Sequence, residues 1–215
     1  AQARPFADVM AHGSLEQKQA VIALIAGKFQ PGFAPPLLAA MNDAEPTVRV
    51  MAATAAATIE NQFLESSMAL EQKRTANVAD VAATIELARH YDNYANTGLL
   101  DDGRTKSARC RALNLYREAD RQGPGYPEVL NAIIRLLVRL GRESEAIEPF
   151  GALVANGTAA PESFVWYVEC LFRLGRFETL RRTCARFDAT TFDKSRLSAR
   201  CQQALGLWAA SAQSR

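Results

Sequence analysis

The chain has 215 residues, 48% hydrophobic and 22% charged, with 12 Gly and 9 Pro. That composition excludes collagen-like and disordered chains and leaves room for one large domain or two small ones. Its 25 basic and 23 acidic side chains give a net charge of +2, so the overall charge does not single out nucleic acid or an anionic membrane as the main partner. No apolar run reaches the roughly 18 residues needed to cross a bilayer.

Alanine makes up nearly a fifth of the chain and β-branched residues are sparse. Ala loses no side-chain entropy in a helix, so the expected fold is all-α. The first residue is Ala1 rather than Met, which leads us to expect a processed or excised chain with an anchor or signal removed upstream.

From the N-terminus, Ser14 with Gln17 has the spacing of a capping box that starts a helix. Next comes a helix around Leu37-Leu38, ended by Asn42-Asp43, and a new helix opened by Pro46 and Val48-Arg49. This stretch resembles a HEAT-like repeat, and Lys18, 31 residues before Arg49, marks a partial unit ahead of it. From Thr47 to about Arg74 the helical pattern runs without Gly or Pro, longer than a typical globular helix. Its Ala-rich half allows close helix approach. Its more polar half, Phe63 to Lys73, either protrudes as a docking arm or packs on the helix after Asn77. The repeat type changes near residue 76, giving a HEAT-like region over 1–76 and a second repeat region over 77–215.

In the second region Arg139-Leu140-Gly141-Arg142 recurs as Arg173-Leu174-Gly175-Arg176, 34 residues later. Thirty-four is the tetratricopeptide period. Ala146 and Phe150 then fall on the small and large positions of a second helix, and Ala112 and Tyr116 on the same positions one period earlier. Pro127 and Pro161, also 34 apart, suit first-turn prolines. In the first unit Leu87, Ala88 and Tyr91 match, with a turn lengthened by extra residues from Gly98 to Lys106. In the third, Leu180 and Cys184 replace a small and an aromatic residue, which predicts a wider helix pair. Pro149 inside a helix predicts a kink. After Lys194 the spacing of Leu197, Cys201, Leu205 and Trp208 predicts a terminal amphipathic helix that caps the stack. The whole reads as an α-solenoid: HEAT-like repeat, about three tetratricopeptide repeats, capping helix.

Several chemistries lack their residues. The two histidines, His12 and His90, and four cysteines without ligand spacing make no metal site. Cys110, Cys170, Cys184 and Cys201 lie in apolar helical patterns and read as reduced, mostly buried thiols, which points to a reducing compartment. Gly123-Pro124-Gly125 is a stiffened turn with no Lys-Ser or Lys-Thr after it, so no cofactor or nucleotide is expected. No Gly-x-Ser-x-Gly elbow occurs, and Asp101-Asp102 reads as a solvated turn. The expectation is a chain without catalytic activity.

A helical stack offers instead the inward face of its first helices as a polypeptide-binding groove. In that register Asn131, Arg135 and Arg139 line the groove, followed by Glu169, Phe172 and Arg173, with Arg89 at a similar place in the first unit. Guanidinium groups there suit carboxylates of an acidic peptide. Residues 173–200 carry eight basic against three acidic side chains, a solvated face or a second attraction for an acidic partner.

The order of pieces, a HEAT-like unit, then Glu86-Leu87-Ala88-Arg89-His90-Tyr91-Asp92-Asn93-Tyr94 with Thr97-Gly98-Leu99-Leu100-Asp101, then tetratricopeptide units, is similar to the soluble region of the E protein family of bacterial Pel exopolysaccharide operons. The resemblance implies a scaffold on the cytoplasmic face of the inner membrane, anchored by a segment outside this chain. Its implied partners are a cyclic-di-GMP receptor, a glycosyltransferase or a transporter. A periplasmic adaptor of an envelope complex is the alternative.

Overall fold

A computed structural model describes residues 3–77, 80–155 and 161–189, together with Gln203 and Gly206. Among the described residues the fold is all-α, with no strand. Contacts divide the chain into two compact units, Ala1–Ala112 and Leu113–Arg215. That division falls 36 residues after the boundary expected at 76/77, because the helix that follows Asn77 packs against the one before it.

The first unit holds α1 (Ala3–His12), α2 (Leu15–Gly27), a 3-10 turn (Pro31–Phe33), α3 (Ala34–Ala40), α4 (Pro46–Ala76), α5 (Val81–Ala95) and the start of α6 (Asp102–Gln122). The capping box starts α2 as expected: Ser14 N–H donates to Gln17 Oε1 at 2.8 Å and Gln17 N–H to Ser14 Oγ at 3.3 Å. Ile22, Ile25, Leu37, Val48 and Ala52 form the core between α2, α3 and α4, and Phe6 meets Phe33 edge to face at 5.1 Å. Of the Leu37-Leu38 pair only Leu37 is inside; Leu38 falls about 100° further round the helix and is exposed. Asp43 joins the turn to α2, accepting from Lys18 Nζ at 2.6 Å and from Glu45 N–H at 2.9 Å. These bonds hold its carboxyl below the usual carboxylate range. Arg49 Nη1 reaches back to the carbonyls of Asp43 and Ala44 at 2.7 and 2.8 Å, closing the corner between α3 and α4.

The second half of α4 packs; it does not protrude. Its side chains at 60, 63, 67, 71 and 74, spaced three and four apart, form one stripe that meets α5 and α6 through aromatic and charged groups. The lengthened turn is also shorter than its sequence suggests. Asp101 caps α6, accepting from Arg104 N–H at 2.8 Å, so most of the extra residues become added helix. Gly98 sits in that turn at φ +79° with the position of a Cβ only 3.2 Å from the Cβ of Ala34.

The second unit contains the end of α6 and two hairpins: α7 (Pro127–Arg139) with α8 (Glu143–Ala155), and α9 (Pro161–Arg173) with α10 (Phe177–Ala189). All four helices have 13 residues, and both boundaries of α9 and α10 lie 34 residues after those of α7 and α8. The turns repeat bond for bond. Gly141 and Gly175 adopt φ +70° and +67°, and the N–H groups of Arg142 and Arg176 bond the carbonyls of Leu137 and Leu171 at 2.9 and 2.8 Å. First helix packs on second, and α7 also packs on α9, the stepwise stacking of a solenoid. Ala112, Tyr116, Ala146 and Phe150 are buried at the expected small and large positions. Leu180 and Cys184 are buried too, so the larger Leu does not hold α9 and α10 out of contact. Helix α8 runs unbroken through Pro149. The expected capping helix and Cys201 lie outside the described residues, save that Gln203 and Gly206 are helical and exposed.

Candidate partner-binding surface

On α7 the buried positions take up most of the circumference, Val129 to Ile134 and Leu136 to Val138 with the exception of Asn131, leaving Asn131, half-buried Arg135 and exposed Arg139 on one stripe. On α9 the equivalent stripe is Val165, Glu169 and Arg173, with Phe172 beside it. Packing of α7 on α9 sets the two stripes next to each other. Six of the seven residues expected to line a groove thus lie on the adjacent helices α7 and α9. Arg89 belongs to the first unit, exposed on α5.

These side chains are linked to one another. Asn131 Nδ2 donates to the Pro127 carbonyl at 2.7 Å, while its Oδ1 accepts from Ser163 Oγ of the next hairpin. Arg173 donates to Glu143 at 2.9 Å and to Glu169 at 2.5 Å, joining α8 and α9. Both carboxylates raise its already high pKa further. Exposed ion pairs contribute roughly 0–1 kcal/mol each, so these links fix the register of the hairpins more than their stability. They also neutralise part of the basic character that the sequence suggests: Arg173 meets a partner only in competition with two carboxylates. Behind them Glu145 accepts from Arg142 and from Arg117 at 2.6 and 2.8 Å, which together hold its carboxyl at about 2. Ser163 and Glu143 were not legible as part of this surface. Their signal was the 34-residue register itself, applied to pairs of positions rather than single ones.

The first unit contains a second cluster that the sequence concealed. Phe63 of α4 lies between two rings of α5, stacked on His90 at 4.1 Å and on Tyr94 at 3.5 Å. His90 Nε2 is 3.1 Å from the Phe63 carbonyl and 3.0 Å from Ser67 Oγ, and Ser67 itself donates to the Phe63 carbonyl at 2.9 Å. A carbonyl only accepts, so the bond network assigns the proton to Nε2 and leaves that nitrogen unable to act as a base toward Ser67. The pair is thus a helix-to-helix link and not a nucleophile with its base. Burial holds the His90 pKa below its ordinary value, opposed by the Phe63 carbonyl. Arg104 closes the same cluster on Glu60 and, at 2.9 Å, on the Tyr94 hydroxyl.

Cys110, Cys170 and Cys184 are free thiols, and burial first of all, then Glu143 and Glu169, push Cys170 up to about 12, far from a reactive thiolate. Among the described residues no three His, Cys, Asp or Glu side chains converge as metal ligands, and no helix is long and apolar enough to cross a membrane.

No family profile and no curated protein matches the sequence. Among solved structures, the chain is similar to a thermophilic TPR protein of Thermus thermophilus, at 15% identity and a TM-score of 0.47, over 93% of this chain and 98% of that one.

Proposed function

We propose that this chain is a non-catalytic scaffold that binds other proteins through the stripe shared by α7 and α9. The observation that carries the reading is the residue-for-residue repetition of the two hairpins, which lines up the unburied residues of their first helices on adjacent helices. Asn131, Arg135 and Arg139 beside Glu169, Phe172 and Arg173 then offer donors, acceptors and one aromatic ring to an extended or helical polypeptide. Arg89 is a further contact of the first unit. The balance of three guanidinium groups against Glu143 and Glu169 favours a partner of mixed charge with acidic anchors.

In the finer form of this proposal the scaffold assembles an inner-membrane exopolysaccharide synthase and export complex of the Pel type, from the cytoplasmic face. Its direct partner is the cyclic-di-GMP receptor, the glycosyltransferase or the transporter. Support comes from the order of sequence pieces, HEAT-like unit, His90-Tyr91-Asp92-Asn93-Tyr94 stretch and tetratricopeptide units. The test is affinity capture of the membrane-anchored protein from its native cells, with partners identified by mass spectrometry. Recovery without any polysaccharide-synthase component removes the Pel assignment. Arg135→Glu and Arg139→Glu test the surface: each lowers affinity for the captured partner about tenfold, as one lost charge-assisted contact does, with helicity unchanged. Unaltered affinity in both removes the groove.

A further inference from the structure

Helix α4 has a third face. Val48, Ala52, Ala55 and Ile59 bury the first against the core, and the stripe from Glu60 to Arg74 meets α5 and α6. About 180° round the helix from the first face, Val50, Leu64 and Met68 are 65%, 49% and 74% exposed. Thr54, Ala57 and Asn61, also exposed, complete the same line. The outer face of a surface helix ordinarily carries charge, yet residues 50–59 contain none. Thr54 and Thr58 donate their hydroxyls to the Val50 and Thr54 carbonyls, each at 2.9 Å, so these donors are satisfied inside the helix and need no water.

The six residues of the line are spaced four, three, four, three and four apart, the a/d spacing of a coiled-coil seam, over about 27 Å at 1.5 Å per residue. The seam also identifies its occupant, because it is symmetric about Ile59. Val50 and Met68 lie nine residues to either side, Thr54 and Leu64 five, Ala57 and Asn61 two. A two-fold axis at that level lays the seam on a copy of itself running the other way. Met68 then meets Val50 of the second copy, Leu64 meets its Thr54, and Asn61 its Ala57, a larger side chain against a smaller one in every layer. Parallel pairing sets Ala57 on Ala57 and Met68 on Met68, which leaves a gap in one layer and crowds another. Charge agrees with the antiparallel order. Glu65, at the edge of the seam, has Ala53 as its counterpart, and Glu60 is held by Arg104. Two helix faces of this length bury on the order of 1,000 Å² together, the lower bound of a specific interface.

We propose that this chain forms a two-fold dimer through antiparallel pairing of the outer face of α4, centred at Ile59. The dissociation constant belongs to the micromolar range, roughly 1–100 µM, as an interface of that size implies. The dimer depends on neither the Pel reading nor the α7–α9 stripe.

The test is sedimentation velocity of the full 215-residue chain over a concentration series that spans this range. The expected result is a concentration-dependent shift from monomer to dimer. Val50→Glu and Met68→Lys each weaken the dimer by about tenfold or more, with helicity unchanged because both positions are exposed in the single chain. The double variant, Val50→Glu with Met68→Lys, sets opposite charges against each other at both ends of an antiparallel seam and returns to within about threefold of the parent. In a parallel pairing the same double variant sets like charges together and dissociates further, which overturns the register. Monomer throughout the series overturns the dimer and leaves the face to another protein. A dimer that neither single variant weakens places the contact elsewhere on the chain and overturns the proposal as well.

Discussion

The two units bury helical surface by different rules. In the second, one set of contacts is used twice: helix lengths, turn geometry and the left-handed glycines recur at an interval of 34, so a residue's neighbours follow from its position in the period. In the first, each junction has its own residues. Lys18 with Asp43 ties α2 to the corner before α4, Phe63 with His90 and Tyr94 ties α4 to α5, and Arg104 with Glu60 ties α6 to α4.

The largest effect that bears on this contrast is loss of the ring shared by two hairpins. Phe150 is almost fully buried and stacks across the α8–α9 junction, so Phe150→Ala costs about 3–5 kcal/mol. That is a large part of a domain stability of roughly 5–15 kcal/mol. Hydrogen exchange read by mass spectrometry should show α7 to α10 losing protection together, while the amides of α2 and α4 around Ile25 and Val48 keep theirs. Equal loss in both regions would mean that the two compact units unfold as one, and the contrast would collapse.

Turn glycines come next. Gly175 has open space where a Cβ would stand, so Gly175→Ala costs only the left-handed conformation, roughly 1–2 kcal/mol, and Gly141→Ala should match it. Gly98→Ala should cost more than either, because the new methyl also presses on Ala34. Urea denaturation of the three variants checks both statements. Inequality between Gly141→Ala and Gly175→Ala would show the two hairpins to be less alike than their bonds indicate.

What the sequence revealed follows the same divide. The two hairpins of the second unit were legible from Gly141 and Gly175, because only a handful of residues sets such a turn and the 34-residue period then places everything else. The corner between α3 and α4 was legible for a related reason, since Asn42-Asp43 and Val48-Arg49 act locally. The second half of α4 was not. Its stripe of Glu60, Phe63, Ser67, Glu71 and Arg74 reads as surface by hydropathy, and becomes a junction between helices only when His90, Tyr94, Arg104 and Arg111 arrive from far along the chain. The α7–α9 stripe was legible in its members and not in its bonding. Position predicts that Arg173 faces the stripe, whereas its commitment to Glu143 and Glu169 depends on distances that no single-residue pattern holds.

The smallest effect belongs to His90, and its sign follows from the bonds around it. Burial lowers its pKa in the folded protein, while in the unfolded chain the imidazole titrates near its ordinary value of about 6.5. The unfolded state therefore binds more protons over the interval between those two values, and the stability of the first unit falls as pH drops below about 6.5 and through the lower folded value. The contribution is complete above pH 6.5 and absent at acid pH. His90→Gln keeps a donor for the Phe63 carbonyl without a titrating ring, so its melting temperature should vary less between pH 7.5 and 5 than that of the parent, by a few degrees at most. The second unit has no histidine, and the protection of its α7 amides should follow the same course with pH in both proteins. A parent and variant with parallel pH profiles would place His90 in water rather than against Phe63, and would remove the aromatic stack as the junction that holds α5 on α4.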